Sequence, residues 1–195
     1  MNHVAHCLLS FNDPDVLVGN FMGDFVKGRQ WEAFPPVVQR GILLHRHIDA
    51  FTDAHAVSLA HARLLRPWAG RYAGAVLDIL NDHLLYRNWS LYSTHSFEDF
   101  AERVFADLDA RRHLMPPTLQ ERWPRMLEGR FLYAYTTPEN LNRVLKGFVG
   151  RLSIPADAAE LGRYFFENMQ VFEDGFNRFF PALEASARAH FEAPS

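Results

Sequence analysis

Cysteine is almost absent from this chain. One residue, Cys7, stands among 195, so an intramolecular disulfide is excluded. Set among apolar neighbours, Cys7 reads as a small buried residue, in keeping with a reducing compartment. No uninterrupted apolar run approaches the length needed to span a membrane. The opening "MNHVAHCLLSFNDPD" has neither the basic start nor the long apolar core of a secretory signal. Neither sign of charge dominates. The formal net charge is −3, which gives no global reason for a nucleic-acid partner. Also missing are the GxxxxGK[ST] phosphate loop, the HExxH zinc motif and the GxSxG nucleophile elbow. Alternating strand patterns, tandem repeats and low-complexity tracts do not occur. The expectation is a cytoplasmic protein with no membrane or nucleic-acid partner.

What is present is apolar and helical. Hydrophobic residues make up 48% of the chain, and 17 of them are Phe, enough for a sizeable core. Helical spacing of apolar residues predicts helices over 15–28, 35–53, 54–66, 72–89, 96–115, 116–129, 131–152 and 157–191. Ser96 and Thr137 are candidate caps. Pro67 and Gly70 are expected to mark a break, Pro124 to interrupt its helix and Pro181 to bend or divide the last one. The reading is all-α, a single compact helical domain over residues 1–195.

The candidate chemistry lies in three places. In "HRHIDAFTDAH", His45, Asp49 and Asp53 are four residues apart. Each such step drifts by about 40° around a helix. His45 and Asp49 can therefore share a centre, while Asp53 reaches it only through a bend. An ordinary solvated helix face would show the same spacing. In "LDILNDH", Asp78 and Asp82 are four apart inside an apolar helix, followed by His83. Buried carboxylates there are costly unless a cation or donors meet them. His83 can ligate, relay a proton or orient a ligand. In "GNFMGDFVKG", Asp24 is a further ligand, a water-activating carboxylate or a helix-end residue.

His3 and His6 can share a helix face, with His6 either near the same centre or a core histidine. Arg46, next to His45, is the first choice for clamping phosphate oxygens. Oxygen and imidazole donors suit manganese, magnesium, iron or zinc. A metal held by them can polarise a phosphoryl oxygen and acidify a bound water.

Taken together, "MNHVAH", "GNFMGDFVKG", "FPPVVQRGILLHRHIDAFTD" and "LDILNDHLLYRNW" resemble the acyl carrier protein phosphodiesterase family over nearly the whole chain. That family is related to the HD phosphohydrolases. The resemblance implies a distantly HD-phosphohydrolase-like fold. It also implies hydrolysis of the phosphodiester between 4′-phosphopantetheine and a serine of holo-acyl carrier protein. A divalent metal is implied, manganese favoured. On this reading His45, Asp49, Asp78 and Asp82 are the metal ligands. Asp24 or Asp53 positions the water, Arg46 stabilises phosphate charge, and His83 protonates the departing serine oxygen. The chain has Asp82-His83 in place of an adjacent His-Asp pair, which blocks direct transfer of the HD ligand set. His47 and His55 rank below His45. The acidic carrier protein would meet Lys27 and Arg29, and its arm would lie on Leu85, Tyr86 and Trp89. Two other readings stand beside this one: an HD-like hydrolase of a nucleotide or other small phosphodiester, and a non-catalytic helical interaction module.

Overall fold

The structure, a computed structural model, describes residues 1–152 and 157–193, and in these every regular element is helical. Two short helices, α1 (His3–Leu8) and α2 (Pro14–Phe21), lead through a 3-10 turn (Gly23–Phe25) to the long α3 (Pro36–Ala54). Next come α4 (Ala56–Ala69), α5 (Ala73–Arg87) and the single turn α6 (Trp89–Tyr92). The chain continues through α7 (Phe97–Ala110), α8 (Pro117–Glu128), α9 (Pro138–Leu152), α10 (Ala158–Glu167) and α11 (Met169–Glu192).

Helix α5 runs through the middle of the core. Its residues from Ile79 to Leu85 are all buried, so apolar side chains cover it almost all round, as a central helix requires. Leu85 and Trp89 are core residues, and Tyr86 and Trp89 pack edge-on against Phe97. These side chains pack into the core or against it.

Helices α2 and α3 cross with their backbones in direct contact. A Cβ added at Gly19 would strike the Val38 carbonyl oxygen, and one added at Gly41 would strike that of Val16. Only a hydrogen on each side lets the two backbones meet. This contact seats Asn20 of α2 against His45 of α3, and the functional site is built there.

The caps follow the sequence. Ser96 Oγ accepts from the Asp99 N–H at 3.0 Å, and Thr137 Oγ1 from the Asn140 N–H at 3.2 Å. The break expected at Pro67 and Gly70 falls at Gly70, which caps α4 after Ala69. Pro124 and Pro181 do not divide their helices, since α8 and α11 continue through them. An internal proline costs about 3 kcal/mol. Around Pro181, Phe179, Phe180 and Leu183 are fully buried, and each large apolar side chain recovers roughly 2 kcal/mol. Burial therefore outweighs the lost hydrogen bond. The break in the last segment falls instead at Asn168, whose side-chain amide donates to the Tyr164 carbonyl at 2.8 Å. That bond competes with the helix ladder. The helix expected over 15–28 also ends early. α2 stops at Phe21, and Asp24 sits in the 3-10 turn rather than in a helix.

Candidate metal centre

His6, His45 and Asp49 come together, with one ligand atom from each lying within 4.8 Å of the others. α1 supplies His6, and α3 supplies the other two one turn apart. The imidazoles stack, with ring centroids 4.1 Å apart. Both histidines are buried.

Asn20 fixes how the two rings point. Its Nδ2 donates to the His6 carbonyl at 2.8 Å and to Ser10 Oγ at 3.1 Å. Both amide protons are then used, so Oδ1 is an acceptor, and His6 Nδ1–H donates to it at 2.8 Å. The Asn20 main-chain carbonyl can only accept, and His45 Nδ1–H donates to it at 2.8 Å. One residue thereby sets the tautomer of both histidines. Each neutral ring is left with an Nε2 lone pair, and both lone pairs face Asp49. His6 Nε2 is 3.1 Å from Oδ1, and His45 Nε2 is 3.1 Å from Oδ2. Acceptors thus confront acceptors. A cation between them satisfies all three, which is the donor chemistry of a divalent-metal site with its supporting outer shell in place.

Without a metal, a proton takes that place. Burial opposes charge on His45, but hydrogen bonds and Coulombic attraction from Asp24 and Asp49 prevail, and its pKa rises to about 9. Burial and the neighbouring His45 push His6 down. Burial raises Asp49, but His45, His6 and the Met1 amine pull it well below the usual carboxylate range. Beyond the two Nδ1–H protons the pair of rings therefore carries one more, on His45 Nε2. Its stabilisation of the metal-free protein is full below pH 6.5 and fades as pH rises through about 9. Metal affinity should climb over the same range as the proton leaves. At neutral pH, binding of one divalent ion should release about one proton. Calorimetry in two buffers of different ionisation enthalpy measures this number. Release of none would mean that His45 carries no proton for the metal to displace.

Around this cluster lies a cleft of about 380 Å³, lined by Asp24, Asp49 and Asp78 among others. Asp24 is exposed, with Oδ1 3.4 Å from His45 Nε2. That hydrogen bond outweighs burial and lowers its pKa. Asp78 lies across from Asp49, and the Met1 amine bridges them at 3.0 Å and 3.5 Å. Burial raises the pKa of Asp78 despite that amine.

The other four sequence candidates are not at the cluster. Asp82 is fully buried and accepts the N–H groups of Val4 at 2.7 Å and Ala5 at 3.2 Å. It caps α1 from another helix, and so anchors the helix that carries His6. Burial pushes it up to about 7, against the pull of those two N–H groups. His83 points away. Its Nδ1–H donates to the Tyr135 carbonyl at 2.7 Å, and its ring lies among Phe165 and Phe166. Arg46 turns from the cleft because neighbouring helix residues diverge by about 100°. Its Nη2 donates to the carbonyls of Val26 at 3.1 Å and Gly28 at 2.7 Å, which ties down the segment carrying Asp24. Asp53 is exposed in the last turn of α3 and does not line the cleft. His47 bonds to Ser186 and His55 caps α4, so neither reaches the site.

Gly23 also belongs to the site. A Cβ there would overlap the His45 ring, so glycine is what lets the imidazole lie beside the turn of Asp24.

An all-helical protein with a buried His/His/Asp cluster fits the HD-phosphohydrolase-like class of metal site. A family model described as acyl carrier protein phosphodiesterase matches residues 1–183. Curated relatives of that name share the full span. The Escherichia coli (strain K12 / DH10B) protein is 32% identical over 198 residues, covering 96% of this chain and 97% of its own. The Yersinia enterocolitica protein is 30% identical over 191 residues, covering 96% and 98%. The Serratia proteamaculans protein is 30% identical over 195 residues, covering 96% and 98%. No solved structure matches the chain. The chain belongs to the acyl carrier protein phosphodiesterase family.

Proposed function

We propose that this chain is a metal-dependent phosphodiester hydrolase that frees 4′-phosphopantetheine from the serine of holo-acyl carrier protein, leaving the apo carrier. One observation carries the reading. Two imidazole lone pairs converge on the Asp49 carboxylate, which itself lines a cleft with Asp24 and Asp78, within a chain of the acyl carrier protein phosphodiesterase family.

His6, His45 and Asp49 would hold the ion. Manganese is favoured by the family resemblance, and the nitrogen and oxygen donors also suit magnesium, iron or zinc. Bound there, the ion supplies Lewis-acid polarisation of the phosphoryl group and a lowered pKa for water. Asn20 keeps both Nε2 atoms aimed at it. Asp24, held ionised at the rim, accepts the proton of the attacking water on a carboxylate oxygen. Asp78, raised by burial, returns a proton to the departing serine oxygen. Two carboxylates whose environments push them in opposite directions divide base and acid work in this way. Phe25, Ile79, Val144 and Phe148 give the cleft apolar surface for the pantetheine arm. Asp82 and Arg46 act by positioning α1 and the Asp24 turn. Among the described residues no helix is long and apolar enough to cross a membrane, in keeping with a protein substrate met in solution.

The test is conversion of purified holo-acyl carrier protein to the apo form, followed by intact-protein mass. Conversion should require added manganese and stop with chelator. A folded, manganese-loaded protein that leaves the carrier intact while cleaving small phosphodiesters would replace this substrate with a smaller one.

A further inference from the structure

The cleft beside the metal cluster poses an electrostatic problem. Asp24, Asp49 and Asp78 all line it. A phosphodiester is an anion, and carboxylates a few ångströms away oppose its entry. The Met1 amine between Asp49 and Asp78 and one divalent ion held by His6, His45 and Asp49 answer for that charge at the inner end of the cleft, but the amine is committed to its two carboxylates. Arg46 answers for none of it, because its guanidinium is committed to two main-chain carbonyls outside the cleft.

Helix α9 brings a cation that, among the described residues, no carboxylate engages. Val144, Phe148 and Arg151 line the same cleft. They are spaced by four and then three residues, so they fall on one helix face. The stripe is apolar over its first two members and cationic at the third, which suits a ligand with an uncharged body and an anionic end. Arg29, Arg87 and Arg111 each sit against a carboxylate. Among the described residues Arg151 does not, and its side chain is exposed. Its planar fork of donors matches the oxygens of a phosphoryl group.

We infer that Arg151 binds the phosphoryl oxygens of the substrate, in the place that sequence reasoning assigned to Arg46. This rests on the reading of the chain as a phosphodiesterase. Arg151 acts as a binding residue, and its effect falls mainly on KM.

The experiment compares Arg151→Ala and Arg151→Lys with the parent protein, all loaded with manganese. Three readouts are taken: turnover of holo-acyl carrier protein, turnover of bis(4-nitrophenyl) phosphate, and calorimetric binding of inorganic phosphate. For Arg151→Ala, kcat/KM should fall about 30-fold on both substrates, the loss of a charge-assisted hydrogen bond. Phosphate binding should weaken in parallel, and manganese affinity should stay unchanged. Arg151→Lys should recover much of the loss, because an ammonium keeps the charge but not the fork. Unchanged phosphate binding and unchanged kcat/KM would overturn the inference. So would a loss confined to the carrier protein, which would place Arg151 against the protein surface, or a loss of manganese affinity. If the parent protein leaves the carrier intact but the small diester and phosphate still depend on Arg151, the carrier assignment falls and this inference stands.

Discussion

Asp49→Asn should abolish divalent-metal binding and lower holo-carrier turnover by about 1,000-fold or more, the scale of several kcal/mol of metal stabilisation. Both histidine Nε2 atoms approach Asp49 at 3.1 Å. In the parent protein they are acceptors facing acceptors, and a cation resolves the conflict. Asparagine is the same shape but carries an N–H₂ group. That group can donate to one imidazole lone pair and satisfy it with no ion present. The metal-free variant should therefore keep its fold while the reason for metal binding disappears. Isothermal titration with manganese, thermal melting of the metal-free protein and the carrier mass assay read the three parts. Retained manganese affinity with full turnover would remove Asp49 from the centre.

The second large effect is expected at a residue that touches no ion. Asn20→Ala should lower metal affinity by about 10- to 100-fold, the usual consequence of losing an outer-shell partner. It should also destabilise the fold by about 1–3 kcal/mol, since buried polar groups lose their partners. The cause is the tautomer. Without Asn20 Oδ1, His6 is free to move its proton to Nε2 and donate it to Asp49, which closes the site without a cation. His45 keeps its partner, because that partner is the main-chain carbonyl of residue 20. The loss should thus be partial, smaller than for Asp49→Asn, with kcat nearly restored at saturating manganese. Manganese titration and denaturant melts check it. An unchanged affinity would mean that the histidines are oriented by packing alone.

The family-like segments, the all-helical architecture and two of the three residues of the metal cluster are readable in the chain. His45 and Asp49 are one turn apart on one helix, so their spacing alone announces them. His6 is a different case. It is 39 residues from His45, and only the packing of α1 against the core, fixed by the buried Asp82 cap, joins the two. Asp82 was noticed for a sound reason, a carboxylate in an apolar helix, but its compensation comes from backbone N–H groups rather than a cation. Both solutions obey the same rule, and sequence does not choose between them. Asn20 leaves one faint signal, a polar residue between Gly19 and Phe21 in a helix that is otherwise apolar from Val16 onward. Gly19 and Gly41 were the stronger clue to the α2–α3 contact, but a glycine in sequence does not say what lies against it. Pro181 misled for a related reason: its helix survives on the burial of neighbouring phenylalanines, a tertiary term.

The central claim is that His6, His45 and Asp49 together hold one divalent ion. Anomalous diffraction from a crystal grown with manganese tests it most directly. A single anomalous peak bounded by His6 Nε2, His45 Nε2 and the Asp49 carboxylate is the expected result. A peak held by Asp78 and Asp82, with the two histidines still paired to Asp49, would contradict it.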